Sequence, residues 1–340
     1  PADPARRAGL TAFKSGARYA ALAAALLPRQ LPTLFLEGHQ TFRDGLLARW
    51  PRLPRLLLTS VGWYSNETFK LLAAEATENG AVLVGSQHGG GYGMMDPILS
   101  EAHERKTADR YFTWGWTDAQ YPGAELVALP SPKMHYPAVR KRPRTGSWLL
   151  VSTSLYRYPY SCYFANAPAA HRFDEQIEDR ARFLRGLDDK TRASARVRLH
   201  HADLGWGHRA RLSDEFRALT FDSDPKPWTA RAGDFDLVVV DHPQTSILEC
   251  LARDVPSLFF WNPALWRMRP EAGPSLDGLR KAGILFDSPE AAALELPAAL
   301  ADPRAWWGRP EKRAACAAFC ERHARSSPDW LAQWTKALES

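Results

Sequence analysis

Short apolar runs recur along this chain, and an amphipathic stretch long enough for a helix stands between many of them. The runs are residues 33–36, 56–61 and 81–85, then 147–152, 196–200, 236–240 and 257–261; helical stretches include 66–79, 174–187 and 245–253. A strand covered on both faces reads as a continuous apolar run, and a helix between two such runs is the crossover that parallel strands require. The alternation predicts an α/β fold of doubly wound, Rossmann-like sheets. The 340 residues exceed what one core usually holds, so two such domains are expected. Residues 129–146 carry four prolines and a basic cluster, which predicts an extended linker. The expected division is then a first domain at 1–130, a linker at 131–146, a second domain at 147–302 and C-terminal helices at 303–340. Trp306, Trp307, Trp330 and Trp334 of that tail can pack back onto the body.

At 45% hydrophobic and 24% charged residues, the composition is that of a folded chain and not of a disordered one. No apolar run approaches the ~18–20 residues that span a bilayer. The longest, 20–27, is Ala-rich and ends at Pro28. The start, Pro1-Ala2-Asp3, has neither an initiator Met nor the layout of a signal peptide, as expected of a trimmed chain or the C-terminal part of a longer one. The formal charge of +6 arises from 44 Lys+Arg against 38 Asp+Glu, with the Arg scattered. Scattered Arg suits phosphates, carboxylates or an anionic membrane surface better than nucleic acid, although a GC-rich genome produces the same excess. Cys162, Cys250, Cys316 and Cys320 form no C-x-x-C pair, so reduced thiols in a cytoplasmic protein are expected.

In open α/β sheets, ligands sit beyond the carboxyl ends of the strands, so the loops there carry the chemistry. The first such loop is Gln87-His88-Gly89-Gly90-Gly91-Tyr92-Gly93. Its glycines let backbone N–H groups approach a ligand, and His88 can act as a general base. The plainer reading is a tight turn, since the loop is neither G-x-G-x-x-G nor a Walker A. Glu101 and Glu104 share a helix face three residues apart, so one can reach this loop while a solvated face suits the other. The Trp114/Trp116 pair reads as packing.

The most specific segment runs from 235 to 251. An apolar strand ends at Asp241, His242-Pro243 makes a turn, and Thr245-Ser246 opens a helix that carries Glu249. Free N–H groups and the dipole at a helix N-terminus bind phosphate, two hydroxyls add donors, and Glu249 one turn in can accept from a ribose hydroxyl. A capped helix with a solvent-facing Glu is the plainer alternative. Arg198 at the end of another strand can pair with a phosphate or carboxylate, and Ser152 follows the first strand of the second domain. Asp222-Ser223-Asp224 and Asp234-Phe235-Asp236 do not follow a strand, and the His200/His201/His208 spacing fits no common site, so no metal is expected.

Gln87-His88-Gly89-Gly90-Gly91-Tyr92-Gly93, Glu101-Ala102-His103-Glu104 and residues 109–116, in that order, resemble a family of transferases from bacterial surface-polysaccharide gene clusters of the O-antigen and capsule type. The Asp241-His242 segment with Leu248-Glu249, Phe259-Phe260-Trp261-Asn262-Pro263, residues 282–286 and Trp306-Trp307 agree with it as well. The resemblance implies a GT-B glycosyltransferase: two Rossmann-like domains facing across a cleft, the donor nucleotide in the C-terminal one and the acceptor toward the N-terminal one, here shortened. The chain is also distantly similar to bacterial Kdo and sialic-acid transferases, which use CMP-sugars and carry a His-Pro pair, matched here by His242-Pro243.

The expected function is transfer of a sugar from a nucleotide-activated donor, a CMP-activated ulosonic acid, to a glycan or lipid-linked glycan acceptor. No cofactor, metal or nucleic acid is expected, and the location is cytoplasmic with peripheral contact to the inner membrane. Arg198, His242, Pro243, Thr245, Ser246, Glu249 and Ser152 hold the nucleotide and its phosphates. His88, Glu37 or Glu101 takes the acceptor proton, and Gly89, Gly90, Gly91 and Tyr92 line the acceptor loop. A sugar-nucleotide epimerase or hydrolase, and a non-catalytic nucleotide- or glycan-binding partner, are the alternatives.

Overall fold

The computed structural model of the chain describes residues 1–12, 18–117, 122–135, 143–158 and 170–340, and Cys162 lies outside them. The chain divides into two compact units, Pro1–Leu83 and Val84–Ser340. The first holds helices Pro4–Ala8, Arg18–Gln30, His39–Arg49 and Glu67–Glu78, strand β1 (Leu56–Thr59) and the start of β2 (Val82–Ser86). The Asn66 side chain caps the Glu67–Glu78 helix by accepting from the Phe69 N–H at 3.0 Å. Residues 33–36, expected as a strand, instead form the 3₁₀ turn Thr33–Phe35. Pro32 offers no N–H, and the N–H groups of Leu36 and Gly38 both bond back to the Thr33 carbonyl, so this backbone is satisfied locally rather than in a ladder.

In the second unit β3 (Arg110–Thr113) pairs in parallel with the end of β2, and β4 (Glu125–Ala128) pairs in parallel with β3. Within this unit the strand order is β2-β3-β4. Trp114 and Trp116, just after β3, are buried as packing residues. The larger sheet comprises β5 (Trp148–Val151), β6 (Ala195–Arg198), β7 (Thr220–Phe221), β8 (Leu237–Val240), β9 (Ser257–Phe260) and β10 (Leu285–Phe286). Its order is β10-β9-β8-β5-β6-β7, with every pair parallel. From β5 the chain steps outward through β6 and β7, then returns to the other side of β5 and steps outward through β8, β9 and β10. The reversal point lies between β5 and β8, with Trp148 opposite Leu237 and Val151 opposite Val240.

Helix Ala170–Arg185 packs Phe173, Ile177, Phe183 and Leu184 inward. The first part of the proline-rich stretch is packed rather than extended: Ser131 and Met134 are fully buried, and the Trp334 indole N–H donates to the Pro130 carbonyl at 2.8 Å. Residues 136–142 of that stretch lie outside the described residues. Among the described residues no helix is long and apolar enough to cross a membrane.

Candidate functional site

Ligands of doubly wound sheets bind at the carboxyl ends of the two strands where the order reverses. Here those ends are Ser152, after β5, and Asp241-His242, after β8. A cavity of about 600 Å³ opens beside them, lined by Ser152, Arg198, His200, His208, Asp222 and Ser246 among others. Helix Thr245–Ala252 points its N-terminus at this end of the sheet, and no side chain caps it.

Asp241 organises the floor. Its carboxylate is fully buried and accepts from Arg180 Nε at 2.6 Å and from the Ser152 hydroxyl at 3.0 Å, while Gln176 Nε2 donates to its backbone carbonyl at 2.6 Å. Burial opposes the charge, but the Arg180 guanidinium and the bond from His242 outweigh it and hold this carboxyl below the usual range. An ionised carboxylate only accepts, so His242 Nδ1, 3.1 Å from Asp241 Oδ1, carries the proton. Its Nε2 is then the atom left to meet a ligand.

Arg180 NH1 also lies 3.3 Å from His208 Nδ1. Burial first, and Arg180 second, bring the His208 pKa down to about 4, so the ring is neutral. It accepts from Arg180, and its Nε2–H donates to the Ser154 hydroxyl at 2.9 Å. Asp203 closes this wall by accepting from the backbone N–H groups of Gly207 and His208 at 2.8 and 2.9 Å.

The sequence-predicted residues fall into three groups. Ser152, Arg198 and Ser246 line the cavity, with His242 and Pro243 buried behind it. Arg198 is already engaged: it donates to Asp222 at 2.7 Å and to the Asp224 and Lys226 carbonyls at 3.2 and 2.9 Å, which fixes the loop at residues 222–226 as the cavity rim. Glu249 is buried with Lys133 Nζ 3.7 Å away, and burial raises its pKa above the usual value against the pull of Lys133.

The glycine-rich loop meets the helix N-terminus directly. The Gly90 N–H donates to Thr245 Oγ1 at 2.8 Å, and a Cβ on Gly90 would fall on the Thr245 nitrogen, with the Gln244 carbonyl carbon at 2.6 Å and Leu248 Cδ1 at 2.7 Å. Gln87 braces the loop, accepting from the Trp114 N–H and the Trp116 indole and donating to the Gly89 carbonyl at 2.9 Å. The Gly91 carbonyl accepts from the Met94 and Met95 N–H groups, which closes a turn that contains the buried Tyr92.

Both glutamates of helix Leu99–Thr107 are buried, where a solvated face was expected for one. Glu101 accepts from Arg269 NH2 at 2.5 Å and from the Gly93 N–H at 3.2 Å, with both charged side chains out of solvent. Glu37 sits in the first unit, bound by Arg7 through Nε at 2.6 Å and NH2 at 2.9 Å, and by the Asp3 N–H. The bond from Arg7, followed by that from Asp3, draws its pKa down to about 2, so at neutral pH it is an ion-paired carboxylate. His88 differs from both. Its side chain is 30% exposed, and both ring nitrogens lie 3.3–3.4 Å from the Tyr92 hydroxyl.

Sequence reasoning did not single out Arg180, Gln176 or Arg269. Arg180 and Gln176 lie one turn apart on a helix rich in charge, and only their place in the apolar stripe with Phe173, Ile177 and Leu184 marks them.

The two parallel sheets give the chain the fold of GT-B glycosyltransferases, in agreement with the expected class. The chain belongs to the LIC12162 family of transferases, whose family model matches residues 2–338. No curated protein matches it. Among solved structures it is similar to S. aureus TarM, determined as a variant with fondaparinux, alpha-GlcNAc-glycerol and UDP: 13% identity, 80% of this chain and 53% of that one covered, TM-score 0.50. It is also similar to the pneumococcal O-GlcNAc transferase GtfA, determined with UDP and GlcNAc: 11% identity, 87% and 59% covered, TM-score 0.51. The chain thus spans between half and three fifths of the length of these two proteins.

Proposed function

We propose that this chain is a glycosyltransferase that builds a bacterial surface glycan from a nucleotide-activated sugar, with the nucleotide in the second expected domain, 147–302, and the acceptor served by the first, 1–130. The observation that carries this reading is the uncapped N-terminus of helix Thr245–Ala252 at the reversal point of the sheet, beside a cavity of about 600 Å³. The bond between the anomeric carbon and the donor phosphate breaks with its electron pair on the phosphate. The helix N-terminus and the Ser246 hydroxyl meet that charge where a metal serves elsewhere, and His242 joins them as the imidazolium, with Nδ1–H on Asp241 and Nε2–H toward the phosphate. The acceptor oxygen bonds to the anomeric carbon and gives its proton to His88. Of the candidate bases, His88 alone keeps an exposed ring, since Glu37 and Glu101 are held in ion pairs. Glu249 accepts from the ribose.

The donor in this reading is a CMP-activated ulosonic acid, which rests on the resemblance at His242-Pro243. UDP, present with TarM and GtfA, is the competing nucleotide. The acceptor is a glycan or lipid-linked glycan, reached from the cytoplasmic face by peripheral contact with the membrane.

Thermal unfolding with CMP, UDP, GDP, ADP and dTDP tests the site. A ligand at one hundred times its Kd stabilises the folded chain by about 2.7 kcal/mol, and the largest rise in Tm is expected with CMP. A rise with UDP alone would replace the donor, and no rise with any of them would overturn the nucleotide site. Ser246→Asp is the companion variant. A carboxylate suits the first turn of a helix, so folding is retained, yet two like charges ~4 Å apart near a protein surface repel by about 4 kcal/mol. Nucleotide affinity is expected to fall about 100-fold or more by calorimetry; unchanged affinity would place the phosphates elsewhere.

A further inference from the structure

The pairing of β8 with β9 ends at Val240, opposite Phe259, so the Asp241 carbonyl must find its donor outside the ladder. Gln176 supplies it, with Nε2 at 2.6 Å. The oxygen of the same amide accepts from the Trp266 indole N–H at 2.8 Å. Trp266, Gln176 and Asp241 are all fully buried.

This line of bonds runs in one direction only. An indole nitrogen donates and a peptide carbonyl accepts, so the amide between them cannot be turned over without losing both bonds. An apolar residue at 176 would continue the stripe of Phe173, Ile177 and Leu184, but it would leave two buried polar groups unsatisfied.

The far end of the line is itself anchored. Trp266 belongs to a segment that turns at Asn262, whose carbonyl accepts from the Leu265 and Trp266 N–H groups. Arg172 NH1 holds the Ala264 carbonyl at 2.8 Å. Past Trp266 the segment is pinned by the antiparallel bridge between Met95 and Met268 and by the Arg269 N–H on the Met94 carbonyl at 2.7 Å. The near end is the peptide that joins Asp241 to His242. Pro243 restricts the His242 backbone from the other side, and Asp241 Oδ1 holds the ring at Nδ1.

We propose that Gln176 and Trp266 are positioning residues for His242: the indole fixes the amide, the amide fixes the Asp241–His242 peptide, and the imidazole is held where it meets the donor phosphate. This rests on the reading of His242 as a phosphate ligand. A charge-assisted hydrogen bond depends on distance and angle, so a ring free to swing loses the phosphate while contacts to the base and ribose remain.

The test separates the phosphate from the rest of the nucleotide. Calorimetry on the full chain gives the affinity for CMP against cytidine and for UDP against uridine, and the ratio within each pair is what the phosphates add. Trp266→Phe keeps an aromatic ring and loses the N–H. It is expected to lower that ratio about 3- to 10-fold, with nucleoside affinity unchanged. Gln176→Met also strips the donor from the Asp241 carbonyl and is expected to lower it about 10- to 100-fold. The double variant should fall no further than Gln176→Met, because the indole acts only through the amide. Nucleotide release from CMP-N-acetylneuraminate or UDP-N-acetylglucosamine, with water as acceptor, should fall in the same order. A ratio that both variants leave at the wild-type value, equal losses for nucleotide and nucleoside, or additive effects in the double variant would overturn the proposal. A ratio that His242→Ala leaves unchanged would instead remove His242 from the phosphates, so the two failures are told apart.

Discussion

Asp241→Ala is expected to lower the unfolding free energy by about 3–5 kcal/mol, because it leaves a buried guanidinium without its counter-charge. Arg180 and Asp241 are both wholly out of solvent and 2.6 Å apart. The substitution also removes the acceptor of Ser152 and of His242 Nδ1. Urea unfolding followed by circular dichroism gives the number. The double variant Arg180→Met/Asp241→Leu is expected to regain most of the loss, since apolar side chains of similar volume need no counter-charge. It should nonetheless lose nucleotide affinity, because nothing then orients His242. The pH dependence has a definite sign. The folded pKa of Asp241 lies below its unfolded value near ~3.9, so its stabilisation is present above that value and is lost as pH falls through the folded one. Asp241→Ala should therefore flatten the acid limb of the stability curve. A stability within about 1 kcal/mol of wild type would mean that the pair does not hold the site.

The larger sheet was legible because its strands are buried on both faces. Leu149, Leu150, Val238, Val239, Leu258 and Phe259 are all fully buried, and such runs stand out against the charged helices between them. The two-residue strands β7 and β10 carry no pattern that long, and β3 hides in the aromatic run at 109–116. The layout of the crevice was legible where it follows local order, as in the strand, turn and helix at 235–251. It was not where it depends on partners far along the chain. Arg180 meets Asp241 across 61 residues, and Arg269 meets Glu101 across 168. Nothing local to Glu101 tells it apart from Glu104. Only the fold gives one an arginine and the other two tyrosines.

On the proposed function, Gly90→Ala is expected to remove most of the nucleotide release while Gly89→Ala is tolerated, although the two glycines are neighbours. Neither has a positive φ, so alanine strains neither backbone, and the difference lies in what each new methyl would meet. At Gly89 the nearest atom is the Thr245 hydroxyl oxygen at 3.6 Å, an ordinary contact. At Gly90 the methyl would fall on the backbone of residues 244 and 245, with the Gln244 carbonyl carbon at 2.6 Å. That backbone opens a helix whose Ile247, Leu248 and Cys250 are buried, so it cannot retreat. The loop must move instead, breaking the 2.8 Å bond from the Gly90 N–H to Thr245 and carrying His88 with it. Overpacking of this kind costs typically 1–3 kcal/mol of stability. Displacing a catalytic group by about 1 Å costs on the order of 100-fold in rate. Nucleotide release should therefore fall about 100-fold in Gly90→Ala, with Tm lowered by only a few degrees, on the order expected from that stability loss. In Gly89→Ala both should stay near wild type. Equal behaviour of the two variants would show that the glycine-rich loop does not work against the helix N-terminus, and the joining of these two segments into one site would fall with it.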